Sequence, residues 1–110
     1  MTPEEIADCY FACIRAKDIE RLMTLYAESA TFTLPNGKTF AGKEAIRQLH
    51  LGVFAAGSPT PSPLAMVSSE NAIAVEIAAR LPDGNVRHTA NFYYLSREAL
   101  IERLSVYMRG

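Results

Sequence analysis

Net charge is the first thing this sequence lacks: 11 Lys and Arg against 12 Asp and Glu leave a formal charge of -1. A domain that grips phosphate backbones needs a basic footprint, so no nucleic-acid partner is expected. Long apolar runs are missing too. None approaches the roughly 20 residues that span a bilayer, and the opening MTPEEIADCY has neither the basic start nor the apolar core of a secretion signal. The expectation is a cytoplasmic chain without membrane contact. Cysteine is scarce: Cys9 and Cys13 stand four apart in a helical pattern, sharing a face but ill placed for a disulfide, and read as core thiols. Zinc would require two more ligands, and His50 and His88 fall in no ligand spacing. No metal is expected, and with no phosphate-cradling glycine loop or other cofactor motif, neither is a cofactor.

What is present is an ordinary globular composition, 49% hydrophobic and 21% charged over 110 residues. A chain of this length makes one domain, residues 1–110, that buries about two-thirds of its unfolded surface. Thr2-Pro3-Glu4-Glu5 supplies a capping hydroxyl, a proline for the first helical position and a glutamate three residues on, marking a helix start. Ile6, Cys9, Tyr10, Cys13 and Ile14 then recur at helical spacing. Asp18 caps a second helix with Ile19, Leu22, Met23 and Tyr26 on one face. A brief strand over 30–34 runs into the turn Pro35-Asn36-Gly37, and a third helix spans 42–56 with Ile46, Leu49 and Val53 on one side. Three alternating prolines in 58–63 predict a stiff extended connector. Beyond it, 64–69, 72–81, 86–96 and 99–108 read as strands, the middle two joined through the hairpin signal Pro82-Asp83-Gly84-Asn85. Helices followed by a strand meander imply α+β, with the helices on one face of an antiparallel sheet.

Two segments carry a resemblance. CYFACIRAKDIERLMTLYAESATFTLP (9–35) has an aromatic in the first helix, a helix-capping Asp after a short connector, a second helix ending in Tyr and an acidic-small turn into a strand; GKEAIRQL (42–49) is a glycine-led third helix. Together they resemble the ketosteroid-isomerase and SnoaL-like group of the nuclear-transport-factor-2-like superfamily. That resemblance implies a cystatin-like α+β barrel in which three N-terminal helices pack on a curved antiparallel sheet and enclose a conical, mostly apolar pocket. It also implies a homodimer through the outer sheet face.

The isomerase branch further implies three functional positions: a carboxylate base at the end of the first strand, and a Tyr and a protonated Asp that hold a developing oxyanion. The Tyr falls on Tyr10, the Asp on Asn91 in TANFYYL, and the base on Leu34 in ATFTLPNG, where the chain departs from the pattern. Tyr10 and Asn91 are two neutral donors for an enolate oxygen. Leucine takes no proton, so a base must come from elsewhere. His50, on the third helix, titrates in a suitable range, and Glu76 in AVEIAAR is the only carboxylate within a strand pattern; their alternatives are a surface histidine and a solvated carboxylate. Tyr10 itself lies in an apolar stripe and is either pocket-lining or core.

If Asn91 points inward, alternation sends Arg87, Thr89 and Tyr93 the same way and His88, Ala90, Phe92 and Tyr94 outward. The same alignment turns Arg103, Ser105 and Tyr107 inward in the last strand, where Arg103 would orient an anionic group, unless a one-residue slip places it at the surface. Phe32 and Leu34 complete the expected ligand-binding set. Two functions follow: proton transfer next to a carbonyl on a small apolar ring compound, as in an isomerase or polyketide cyclase, or a non-catalytic dimeric binding module whose pocket is filled by side chains.

Overall fold

The computed structural model describes residues 1–109. Its elements run α1 (Pro3–Ala16), α2 (Ile19–Met23), β1 (Tyr26–Thr33), β2 (Thr39–Ala41), α3 (Lys43–Ala55), β3 (Thr60–Ser68), β4 (Ala72–Arg80), β5 (Val86–Leu95) and β6 (Ile101–Met108). Local chemistry accounts for the helix ends. Thr2 and Glu5 exchange the two hydrogen bonds of a capping box around Pro3, and the Asp18 carboxylate accepts from the Arg21 N–H at 3.1 Å. Gly42 opens α3 at φ 91°, a conformation that favours a residue without Cβ. Among the described residues no helix is long and apolar enough to cross a membrane.

One six-stranded sheet has the order β2-β1-β6-β5-β4-β3. All neighbours pair antiparallel except β1 with β6, which are parallel, so the sheet is mixed rather than wholly antiparallel. The helices cover one face, α1 across β3 and β4, α3 over β1 and β2. Between them and the sheet, Ile6, Phe11 and Leu22 meet Val75, Tyr93 and Leu104 in the core.

Several boundaries differ from the sequence reading. The second helix stops at Met23, and Tyr26 opens β1 instead of closing the helix. The proline-rich segment is extended, but from Thr60 onward it belongs to β3 at the sheet's edge, where a strand tolerates residues that donate no ladder hydrogen bond. The short β2 carries too little pattern to be read in advance.

The consequential difference is register in β6. Leu95 pairs with Ile101 and Tyr94 with Arg103, so Glu102 is an extra residue bulged from the ladder. Ile101 and Leu104, three apart, are both fully buried, which unbroken alternation forbids. Consequently Leu104 and Val106 face the helices, while Arg103, Ser105 and Tyr107 lie on the outer face. There the Arg103 guanidinium sits over the Tyr94 ring at 4.0 Å, Ser105 pairs with Phe92, and Tyr107 meets Phe92 edge-on. This register is testable by chemical unfolding. Leu104→Ala should cost about 2–5 kcal/mol by opening a cavity, whereas Ser105→Ala should stay within about 0.5 kcal/mol; the reverse order would contradict the bulge.

Candidate active site

A cavity of about 200 Å³ lies between α1, α3 and the concave face of the sheet. Phe11 and Ile14 from α1, Leu49 and Val53 from α3, and Ile77 from β4 make much of its apolar wall. Phe32 and Leu34, contributed by β1 and the residue after it, line it as the sequence suggested. An apolar cavity of about 150 Å³ accepts benzene, so a space of this volume suits a substituted ring. The space is open and not filled by side chains.

Polar groups gather at the inner end. Tyr10 reaches it from α1, where it stands one turn before Ile14, and Asn91 reaches it from the inward face of β5. His50 comes from α3, four residues after the fully buried Ile46, so the face that anchors the helix also carries the imidazole into the cavity. Behind them stand two fully buried tyrosines that do not line the space. Tyr26 meets His50 Nε2 through its hydroxyl at 3.0 Å, and the Tyr93 hydroxyl accepts from Asn91 Nδ2 at 2.9 Å. The rings interlock edge to face, Tyr10 with Tyr93 at 5.2 Å and with His50 at 6.1 Å between centroids.

Burial sets the electrostatics. Desolvation raises the phenols of Tyr10, Tyr26 and Tyr93 well above their ordinary value, with the Tyr26 hydroxyl partly offsetting this for Tyr10 and Asn91 doing so for Tyr93. All three therefore remain protonated donors. Desolvation also lowers His50 to about 4, so its imidazole is neutral at pH 7. One nitrogen is held by Tyr26. The other, Nδ1, has no partner within the protein, and no sealed polar side-chain atom among the described residues is left unpaired, so Nδ1 is accessible from the cavity that His50 lines.

The remaining expected residues divide cleanly. Thr89 lines the cavity and Arg87 stands at its rim. Tyr93 lies one layer behind, acting on Asn91. Glu76 is exposed on the outer face opposite Ala90, beside His88 and Tyr107, and its side chain is remote from the cavity. Arg103, Ser105 and Tyr107 are excluded by the β6 bulge. Tyr26 is the functional residue that sequence reasoning missed: its helical spacing from Met23 and Leu22 made it look like the end of α2. Cys9 and Cys13 remain free, and burial pushes the Cys13 thiol up to about 11.

A neutral, buried histidine makes stability depend on pH. The folded chain leaves His50 unprotonated between its ordinary 6.5 and about 4, while the unfolded chain takes up a proton. Stability is then fully present above about 6.5 and falls as pH drops through about 4. The loss should be on the order of 3 kcal/mol, seen as a declining unfolding midpoint across that window. A His50→Gln variant should show a flat profile there; an equally steep decline in the variant would place the titration elsewhere.

The SnoaL-like domain model matches residues 7–98. No curated protein sequence matches, but solved structures do. The epoxide hydrolase/cyclase-like enzyme SalBIII of pyran ring formation in the polyether salinomycin superposes with a TM-score of 0.85 at 20% identity, over 97% of this chain and 90% of that one. RV0760c from Mycobacterium tuberculosis, solved with estradiol-17beta-hemisuccinate, gives a TM-score of 0.82 at 21% identity over 99% and 95%. A protein with a cystatin-like fold from Methylobium petroleophilum gives 0.83 at 17% over 97% and 75%. At these identities the likeness establishes the fold, α+β and cystatin-like. With the family model covering most of the sequence, the chain belongs to the SnoaL-like domain family.

Proposed function

We propose that the cavity binds a small ring compound carrying a carbonyl and moves a proton on the carbon beside it, without a cofactor. The observation that carries this reading is the neutral His50 imidazole next to two neutral donors, Tyr10 and Asn91, in one apolar cavity. In the productive proton arrangement, His50 Nε2–H donates to the Tyr26 oxygen, Tyr26 O–H points to Tyr10, and the Tyr10 proton is left for the ligand. Nδ1 then presents its lone pair to the cavity.

Nδ1 takes the proton from the carbon adjacent to the carbonyl, the electrons of the broken C–H bond form a C=C bond, and the carbonyl oxygen gains the negative charge. Tyr10 O–H and the second Asn91 N–H stabilise that oxyanion. Return of the proton from the imidazolium to another carbon of a conjugated enolate gives an isomer; attack of the enolate carbon on a second carbonyl of the same molecule, whose C=O π electrons become an alkoxide that takes the imidazolium proton, gives a cyclised product. A base near 4 is of carboxylate strength, so the histidine stands in for the acid that Leu34 displaces. SalBIII, with its cyclase-like chemistry, and the hemisuccinate-bound mycobacterial protein support a ring-binding pocket in this fold.

The reading includes a homodimer through the uncovered sheet face. Phe92, Tyr94 and Tyr107 crowd this face, with Leu64 61% and Val67 74% exposed near its edge. Planar phenols imitate an enolate, so they should bind the wild type, seen by fluorescence or NMR titration. Tyr10→Phe should lose about tenfold or more in affinity, the worth of a hydrogen bond to a charged group. Undiminished binding would remove Tyr10 from its role. Separately, analytical ultracentrifugation should find a dimer that Phe92→Glu with Tyr107→Glu converts to monomer; a wild-type monomer would refute that face.

A further inference from the structure

Arg87 lines the cavity's outer rim and Arg15 is hydrogen-bonded to a neighbouring lining residue, and among the described residues neither forms an ion pair. Rows of paired residues across the sheet give the cavity depth. Asn91, Val75 and Met66 form one row at the polar floor; Thr89, Ile77 and Pro63 form the next; Arg87, Ala79 and Pro61 form the third. Arg87 and Pro61 both line the cavity at that outermost level. From the other side, Arg15 of α1, the residue after the cavity-lining Ile14, donates from Nη1 to the Pro61 carbonyl at 3.2 Å. Arg87 and the Pro61 that Arg15 holds thus share the outermost row of the cavity.

Among the described residues neither Arg15 nor Arg87 has a carboxylate within ion-pair distance. The ion pairs among the described residues involve Lys43 with Glu28 and Arg47 with Glu20 and Glu44, all remote from this rim, and the cavity is lined by no carboxylate. Arg15 commits one N–H to Pro61 and retains others. A floor of neutral hydrogen-bonding groups, apolar walls and a cationic rim describe a ligand of matching polarity along its length.

From these features we infer that the natural ligand is a carboxylate-bearing ring compound, its carbonyl or hydroxyl at Tyr10 and Asn91 and its carboxylate between Arg15 and Arg87. At about 3.4 Å per residue, Arg87 lies about 14 Å along β5 from Asn91. A guanidinium reaching back over the opening reduces that span to one ring with a short acid tail, which the 200 Å³ volume also admits. Rim arginines fix which end enters first, so they determine specificity without touching the reacting atoms. This inference rests on the ring-binding reading above.

The test compares para-hydroxyphenylpropanoate with its uncharged carboxamide by calorimetric titration. Wild type should bind the carboxylate about tenfold more tightly at low salt, a preference that shrinks as ionic strength rises. Arg15→Met with Arg87→Met should abolish the preference, and an unchanged circular dichroism spectrum and thermal midpoint show that the variant is folded. Equal binding of both compounds to the wild type, with carboxamide binding still dependent on Tyr10, would overturn the anion site and leave the ring-binding reading standing. Failure of both compounds to bind would overturn the two together.

Discussion

A single hydrogen bond between two desolvated side chains organises this site: the Tyr26 hydroxyl against Nε2 of His50 at 3.0 Å. A histidine inside an apolar core is costly unless its polar atoms are satisfied. Tyr26 satisfies one nitrogen, and the cavity gives the other somewhere to face. The surrounding burial keeps the ring neutral. Removing Tyr26 would expose Nε2 to an apolar wall; removing the burial would return the imidazole to its ordinary range. The fold supports the pair from both sides, since α3 is anchored by Ile46 and β1 is locked between β2 and β6.

That arrangement accounts for Leu34. A carboxylate at the exit of β1 would sit in the same apolar cavity as a buried imidazole, and either group's protonation would depend on the other. With leucine there, the cavity's polar end holds the His50 imidazole beside two neutral donors, Tyr10 and Asn91. In the proposed reading the base comes from the helix instead of the strand, beside Tyr10 and Asn91 at the cavity. Asn91 also needs no forced protonation to donate, and its contact with Tyr93 fixes the amide plane. Function in this fold is set by a few side chains facing the cavity, not by the scaffold.

Much of the fold was legible because local signals were strong: the Thr2 capping box, Asp18 before α2, Gly42 before α3 and the Pro82-Asp83-Gly84-Asn85 turn each mark a boundary that the structure keeps. Within the site, the inward set Thr89, Asn91 and Tyr93 followed from alternation along an unbroken strand. Alternation failed at β6 because one bulged residue, Glu102, leaves no mark in composition, yet reverses the faces of Arg103, Ser105 and Tyr107. Glu76 was left open between a base and a solvated carboxylate for a different reason. A carboxylate in a strand pattern reads equally well on either face, and only its pairing opposite Ala90 shows that it points outward. Tyr26 was hidden by periodicity, its helical spacing continuing past the point where the helix ends.

The account turns on which nitrogen of His50 carries the proton. Nitrogen-15 NMR of the imidazole, recorded near neutral pH on chain labelled at histidine, measures this directly. The account predicts a neutral ring protonated at Nε2, bonded to Tyr26, with Nδ1 unprotonated and shifting when a phenol enters the cavity. A ring protonated at Nδ1 would make His50 a donor to the ligand and would contradict its role as the base.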